Sequence, residues 1–468
     1  MDQDQAQPEK ELLDRSSRVH FVGIGGIGMS ALAAVLLARG KRVTGSDVKE
    51  SSVVQRLMAA GVRVNLGHRA EAVEGAELVV ATAAARDDNP ELQEARRRGI
   101  PVVKRAELLG WLMSDSYGMA VAGTHGKTTT TGMLAFVLRR AGLDPTMLVG
   151  GEMLDFESHG FQGKGLLLVA EADEFDRSFL RLWPKLAIIT SVEMDHPDCY
   201  ADLEDLVAAF AQFAERVPAE GLLITCSDDP VLRGMKPRVP RSSYGFAEDA
   251  AWRLLQYTPL SPYGTSFDFS NPGGDLYTCT LQLSGRHYAL NALAAIAAAA
   301  HVGVDPSQSA ATLAGFKGTR RRYELVGQVE GVTVIDDYAH HPTAVAETLR
   351  AARERHEGQI WCVFQPHTVN RTERLLREFA TAFGPADHVL MLPIYQPTGR
   401  EEASTVTSRD LAATMKHPDV RCPEELTGAA VLLEAEVRPG DLVITMGAGD
   451  INRVGDELLE RLMARDLH

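Results

Sequence analysis

The segment Gly123-Thr124-His125-Gly126-Lys127-Thr128-Thr129-Thr130 follows an apolar run and leads into a helical pattern. A strand that delivers Gly-Lys-Thr to a helix start supplies backbone N–H groups to wrap phosphate oxygens. It also supplies a lysine to reach the β and γ phosphates and a hydroxyl for a magnesium shell. The usual Walker spacing is not met, because Val121 stands five positions before Gly126, where that pattern has glycine. Against the plainer reading of a helix cap, the combination points to ATP, bound by Gly123, Thr124, His125, Gly126, Lys127, Thr128 and Thr129.

Downstream lie carboxylates that could serve the same chemistry. Glu171-Ala-Asp173-Glu174 follows the apolar run 166–170, and Glu193 with Asp195-His196 follows the run 186–190. Acidic runs are usually solvated loops. These two differ in placement, since carboxylates at the C-terminal ends of neighbouring parallel strands gather where open α/β sheets bind ligands. Hard oxygen ligands suit Mg2+ (or Mn2+), and His196 can add a nitrogen.

A second glycine loop, Gly23-Ile24-Gly25-Gly26-Ile27-Gly28, sits between a strand and a helix, with Asp47 at the end of the next strand. Glycines there permit a tight turn and close approach of a diphosphate to a helix N-terminus. A tight turn in a doubly wound unit is the alternative. A further set comprises Asn291 at the start of an alanine-rich helix, Arg320-Arg321-Arg322, and Asp336-Asp337-Tyr338-Ala339-His340-His341-Pro342. Adjacent histidines point in different directions on regular structure, so a chelating pair is the weaker reading of His340-His341.

The elements that must position these residues alternate. From Arg18 the pattern is strand, glycine turn, helix (29–39) and strand (42–45), with later strands at 78–82 and 102–104, ending near Trp111. Such alternation specifies a parallel, doubly wound sheet. A second series opens with the buried strand 117–122 and the helix 128–141, continues through strands at 166–169 and 186–190, and changes character over 248–283. There, alternating and aromatic residues around Asn271-Pro-Gly-Gly274 predict a small antiparallel patch, followed by a helix from His287. After Arg322, strands at 332–335, 360–364, 388–392 and 441–445 alternate with helical stretches. The expected fold class is α/β in three domains. A Rossmann-like N-terminal domain (1–112) precedes a central P-loop-type ATPase domain with a parallel sheet plus the antiparallel patch (113–321) and a Rossmann-like C-terminal domain (322–468).

Bulk properties agree. At 468 residues the chain exceeds a single core, which stops growing at roughly 250–300 residues. With 45% hydrophobic and 24% charged residues, neither disorder nor a fibrous class is indicated. A net charge of −15 disfavours nucleic acid or an anionic membrane as partner, since both need a basic face, but leaves room for small anions in local pockets. The five scattered cysteines, without a Cys-x-x-Cys pair, suit a reduced, cytoplasmic compartment. Met1–Asp14 lacks the basic-then-apolar order of a signal peptide, and the alanine-rich stretch 289–304 is too short to span a bilayer.

The motifs Gly123–Thr130, Glu171–Glu174, Asp195-His196, Phe316-Lys-Gly318 with its arginines, Asp336–Pro342 and Gly447-Ala-Gly-Asp450 together resemble the Mur ligases, over about residues 18–455. The glycine-rich start and Gln365-Pro-His367 with Arg371 resemble the branch that adds L-alanine to UDP-N-acetylmuramic acid. The resemblance implies a UDP-substrate domain, an ATPase domain and a domain that brings the amino acid, acting as a monomer or homodimer in peptidoglycan precursor synthesis. It assigns Gly23, Gly25, Gly26, Ile27, Gly28, Asp47 and His68 to the UDP substrate, and Lys127 and Thr128 to ATP and Mg2+. Thr128, Glu171 and His196 would be metal ligands. Asn291 would face adenine, with Arg322 and Asp337 reaching phosphate and ribose, while Tyr338, His340 and Arg371 would shape the muramyl and alanine site. Lys127, Glu171, His196 and His340 would carry the catalysis, His340 as the base for the alanine ammonium.

Two positions depart from the family pattern. Thr368 follows His367 where alanine-adding members carry an arginine, and no lysine occurs between His196 and Lys236. Other branches use a carbamylated lysine there, and the alanine branch lacks it. Rival readings are a recycling ligase that joins a tripeptide to the same sugar nucleotide, an NAD-dependent dehydrogenase, and a non-catalytic UDP-sugar sensor. The dehydrogenase leaves the Lys127 loop idle, and the sensor leaves the metal carboxylates idle.

Overall fold

Short apolar runs rich in Val, Leu and Phe pair in parallel at the start of the chain, in the spatial order Arg63–Leu66, Arg42–Asp47, Arg18–Val22, Leu78–Ala81, Val102–Lys104. The order reverses between Arg18–Val22 and Leu78–Ala81, and ligands bind outside such a switch point in doubly wound sheets. The first glycine loop leaves the strand at that point and runs into the helix Ile27–Ala38. The structure is a computed structural model that describes residues 7–261, 263–397 and 404–465, so the first six residues of the polar N-terminal stretch lie outside the described residues.

The chain packs into two compact units. The first comprises the described residues up to Val192 together with Val207–Arg253 and Ala292–Thr312. The second comprises Glu193–Leu206, Leu254–Asn291 and the described residues from Leu313 onward.

In the first unit a further sheet runs Arg241–Gly245, Leu222–Cys226, Leu186–Ile189, Tyr117–Ala122, Leu167–Glu171, Thr146–Met153, Ser158–Phe161. Only the last pairing among these is antiparallel. Tyr117–Ala122 lies between Leu186–Ile189 and Leu167–Glu171, so the loop that follows it emerges between two strand ends that carry polar side chains. The helix Lys127–Arg140 is buried from Thr128 to Leu138. The hairpin Thr146–Phe161, which sequence patterning did not predict, packs on the helix Ile27–Ala38. Ser30 Oγ lies 2.7 Å from His159 Nε2, and a Cβ on Gly160 would sit 2.6 Å from Ala31.

The second unit contains the predicted antiparallel patch, Thr265–Ser270 paired with Leu276–Leu281 around the Asn271–Gly274 turn. Its six-stranded sheet runs Glu324–Val329, Val332–Asp337, Leu442–Met446, Ile360–Phe364, His388–Met391, Val420–Arg421. All pairings except the first are parallel. Its core gathers Val332, Val334, Trp361, Val363, Leu390, Val443, Leu458 and their neighbours. Among the described residues no helix is long and apolar enough to cross a membrane. All five cysteines are free thiols.

A buried polar knot ties the N-terminal sheet together. Glu91, fully buried, accepts from Ser46 Oγ at 2.6 Å and from Arg69 N at 3.2 Å and faces His20 Nε2 at 3.4 Å. Burial pushes the Glu91 carboxyl up, but the hydrogen bonds from His20 and Ser46 outweigh it and leave the group below its ordinary range. Removing the carboxylate strands several buried partners at once. Glu91→Ala is expected to cost about 2–4 kcal/mol of stability, read as an earlier urea midpoint; an unchanged midpoint would contradict this role.

Candidate active site

In the first unit the phosphate-type loop has the backbone its sequence demands. Gly126 adopts φ +77° immediately before the helix, a left-handed conformation costly for residues with a Cβ. Gly123 has φ +131°, and a Cβ there would lie 2.1 Å from Thr190 Oγ1. The helix begins at Lys127, so the N–H groups of its first turn lack intrahelical acceptors and face the loop mouth with the positive end of the dipole.

Lys127 turns back into this loop. Its Nζ donates to Gly123 O at 2.6 Å and to Glu174 Oε1 at 2.8 Å. Burial alone would lower the ammonium's pKa, but Glu174, Asp173 and Glu171 outweigh that and raise it, so the lysine stays charged. Thr128 Oγ1 donates to Glu171 Oε2 at 2.9 Å, and Gly150 N donates to the same oxygen at 2.9 Å. A hydroxyl and a carboxylate side by side form a hard-oxygen pair of the kind Mg2+ prefers, so the residues fit that ion.

The other glycine loop is also in the first unit. Gly23 has φ +80°, Gly25 N donates to Asp47 Oδ2 at 2.8 Å, and Gly26 caps the helix that starts at Ile27. Asp47 is thus turned onto the loop itself. Ile27 is exposed, and a Cβ on Gly28 would lie 3.0 Å from Arg105 Nη1, which places a cation beside the loop. His68 Nδ1 lies 3.1 Å from Ser46 Oγ.

The second unit gathers most of the remaining expected residues. Arg371, buried, donates Nε to Asp195 Oδ1 at 2.8 Å and lies 3.1 Å from His367 Nδ1 through Nη1. Asp195 also accepts from His196 N at 2.7 Å, and His196 adopts a positive φ of 53°, a strained setting for a side chain of its size. Burial would push Asp195 up, but Arg371 and the neighbouring histidines hold it well below the carboxylate range. His367 and His340 rings lie 5.7 Å apart, and Tyr338 and His340 rings 5.4 Å. His340 Nδ1 lies 2.9 Å from Tyr338 O, which assigns the ring proton to Nδ1 and leaves Nε2 with its lone pair. Burial and then Arg371 hold His340 well below the ordinary imidazole value. His341 points elsewhere, with Nε2 3.2 Å from Met194 O, as expected of adjacent histidines.

The three arginines also diverge. Arg320 pairs with Glu324, Arg321 clamps Asp336 and the carbonyls of Gly447 and Gly449, and Arg322 lies 4.8 Å over the Tyr338 ring. Asn291 is buried on the helix Arg286–His301, whose Tyr288 shares a field with Asp337 and Arg322. Thr368, buried, has φ +64° and donates its N–H to Tyr395 O at 3.0 Å, so this position serves the turn and offers no cation. Thr128 and Glu171 stand together in the first unit, and His196 belongs to the second. Glu174 as the partner of Lys127, Arg105 beside Gly28, Ser191 beside the phosphate-type loop and Arg321 beneath Gly447–Gly449 were not singled out from sequence.

Three family models match the chain in order: "Mur ligase family, catalytic domain" over 18–117, "Mur ligase middle domain" over 121–299 and "Mur ligase, glutamate ligase domain" over 321–449. A UDP-N-acetylmuramate--L-alanine ligase of Rubrobacter xylanophilus is 46% identical over 454 residues, 95% of this chain and 100% of the relative. The chain belongs to the Mur ligase family. Among solved structures, the UDP-N-acetylmuramate-alanine ligase of Thermotoga maritima matches at TM-score 0.81 and 29% identity, covering 96% of this chain and 99% of that one. A murein peptide ligase of Psychrobacter arcticus matches at TM-score 0.73 and 27% identity, covering 95% and 98%. This Mur ligase has the three mixed α/β domains of the family, with parallel sheets and a small antiparallel patch.

Asp337 carries a pH signature. Burial pushes its carboxyl up to about 6, against the opposing pull of Arg322 and the N–H groups of Ala339 and Tyr323. A folded-state value above the unfolded value of about 3.9 means the native chain holds the proton longer, so this group's contribution to stability falls as pH rises from about 4 to about 6. Asp337→Asn removes that slope. Relative to the unsubstituted chain, the variant is expected to gain about 2 kcal/mol between pH 4 and pH 7 in urea titrations; a difference that stays constant across that range would contradict the assignment.

Proposed function

We propose that this Mur ligase joins L-alanine to the lactyl carboxylate of UDP-N-acetylmuramic acid, using ATP, in peptidoglycan precursor synthesis. The observation that carries the reading is the charged Lys127 inside a left-handed glycine loop, beside the Thr128–Glu171 oxygen pair. A dehydrogenase or a passive sugar-nucleotide sensor has no use for that arrangement. The alanine-adding activity named for the Rubrobacter relative, 46% identical over 95% of this chain, favours it over the tripeptide-joining alternative, whose solved representatives match at 27% and 30% identity.

A carboxylate resists amines because it is negative and lacks a leaving group. Transfer of the γ-phosphoryl group of ATP to the lactyl carboxylate yields an acyl phosphate and ADP. The neutral amine of alanine then attacks the acyl carbon, and phosphate leaves. Positioning and stabilisation of spread negative charge dominate the catalysis of such steps. Gly123, Thr124, His125, Gly126 and Thr129 cradle the phosphates and Lys127 neutralises the transferred group. Thr128, Glu171 and His196 hold magnesium (or manganese), which when bound offsets charge on the phosphoryl oxygens. Asn291 contacts adenine, and Arg322 and Asp337 contact phosphate and ribose.

Gly23, Gly25, Gly26, Ile27, Gly28, Asp47 and His68 hold the UDP moiety. Tyr338, His340 and Arg371 shape the muramyl and alanine site, and His340 Nε2 takes the proton from the alanine ammonium. The Nε2 lone pair, left free because Nδ1 engages Tyr338 O, supports that role. We assign residues 1–112 to the UDP-substrate domain, 113–321 to the ATPase domain and 322–468 to the amino-acid domain. The enzyme acts in the cytoplasm, as a monomer or homodimer. The test is ADP release with UDP-N-acetylmuramic acid against a panel of alanine, serine, glycine and tripeptide. Release is expected to require both the sugar nucleotide and alanine, and to slow by about 10²–10⁴ in Lys127→Ala. Release with tripeptide alone, or near-normal turnover in that variant, would overturn the proposal.

A further inference from the structure

Resting on that reading of the Lys127 loop, we propose that Asp229 is a positioning residue that latches the phosphate-binding loop from behind. Three parallel strands of the first unit end in register: Ala122 beside Ile189, and Ile189 beside Thr225. Beyond these ends the chains remain tied. Thr190 Oγ1 lies 2.5 Å from His125 O, Ser191 O accepts from Thr124 N at 2.9 Å, and Ser191 Oγ accepts from His125 N at 3.0 Å. Gly123 is wedged against the same Thr190. The first half of the loop therefore takes its shape from residues 190–191.

What fixes residues 190–192 is a carboxylate from the next strand over. Asp229 Oδ2 accepts from Val192 N at 2.8 Å, and its Oδ1 accepts from Leu232 N at 2.9 Å as the cap of the short helix Pro230–Gly234. Both oxygens are used, one for the helix and one for the segment that supports the loop. Val192 is buried, so its N–H has no water to fall back on if the carboxylate is lost. Asp229-Pro230 reads in sequence as an ordinary helix start. The latch on a chain 37 residues earlier is a tertiary property.

The neighbouring Asp228 supplies an internal control. Its carboxylate accepts from Phe246 N at 2.8 Å and Ala247 N at 2.9 Å, serving a turn on the far side from residues 190–192. The two aspartates are neighbours in the turn after the strand Leu222–Cys226, Asp228 exposed and Asp229 half-buried, and only Asp229 holds the loop's support. Asp229→Ser keeps one oxygen that can still cap the helix at Leu232 N, and its shorter side chain with a single oxygen gives up the bond to Val192 N.

The experiment compares Asp229→Ser, Asp228→Ser and Ser191→Ala with the unsubstituted ligase. We expect the KM for ATP to rise on the order of ten-fold in Asp229→Ser and by a smaller factor in Ser191→Ala, with the KM for UDP-N-acetylmuramic acid within about two-fold. Asp228→Ser leaves both constants unchanged. Amide hydrogen exchange at Thr124 and His125 is expected to quicken in Asp229→Ser but not in Asp228→Ser. An unchanged exchange rate at those two amides in Asp229→Ser overturns the latch. So does an Asp228→Ser effect equal to that of Asp229→Ser, which would mark general loosening of the fold. The exchange readout needs no nucleotide, so it decides the latch even if ATP proved not to be the substrate. Should Asp229→Ser not fold, native-state exchange in the unsubstituted ligase decides: the amides of Val192, Thr124 and His125 are expected to open together as denaturant is added, and independent opening overturns the latch.

Discussion

The buried contact between Lys127 and Glu174 is the constraint on which the first unit is arranged. An ammonium placed under the C-terminal ends of a parallel sheet is costly unless several acceptors compensate it. Here Gly123 O and Glu174 do so directly, while Asp173 and Glu171 add their field. The compensation keeps the lysine charged and close to the loop. A phosphate that arrives there competes with Glu174 for an ion already desolvated and already aimed. The glycines follow from the same geometry: Gly126 must turn left-handed to start the helix at Lys127, and Gly123 must pass Thr190 without a side chain.

An acidic protein that handles two anionic substrates needs positive potential confined to its sites. With a net charge of −15 the chain offers that potential only locally, and at the phosphate-type loop it comes from Lys127 and the helix N-terminus. In the second unit the same logic appears with the signs reversed. Arg371 holds Asp195 ionised, Arg321 bridges Asp336 to the Gly447–Gly449 carbonyls, and His340 stays neutral among these charges. Fixed charges thus surround one imidazole whose protonation burial and Arg371 both disfavour.

Much of this arrangement was legible in the sequence because it is local. The strand 117–122, both glycine loops, the carboxylates after the strands and the Asn271–Gly274 hairpin each have their determinants within a few residues. The hairpin Thr146–Phe161 was not, because Gly150-Gly151 interrupts its alternation, and its stability comes from packing on the helix Ile27–Ala38. Nor could the run Glu171-Ala-Asp-Glu174 say which carboxylate takes which partner. Glu171 meets Thr128 and Glu174 meets Lys127 only because the strand ends at Glu171 and the chain then turns into a short helix. The arginine triplet diverges for a similar reason, since Arg321 itself adopts φ +60° and swings toward Gly447–Gly449. Long-range bonds, such as those of Asp229 to Val192 and Arg371 to Asp195, leave no pattern at short range.

When ATP and magnesium bind, Lys127 is expected to exchange Glu174 for the terminal phosphates while Glu171 and Thr128 turn to the metal. A crystal structure with a non-hydrolysable ATP analogue and magnesium tests it most directly. The expected result has Lys127 Nζ on β- and γ-phosphate oxygens and away from Glu174, with magnesium in oxygen contact with Thr128 and Glu171. Phosphates bound outside the Gly123–Thr129 loop, or Lys127 still paired with Glu174 beside a bound triphosphate, would contradict it.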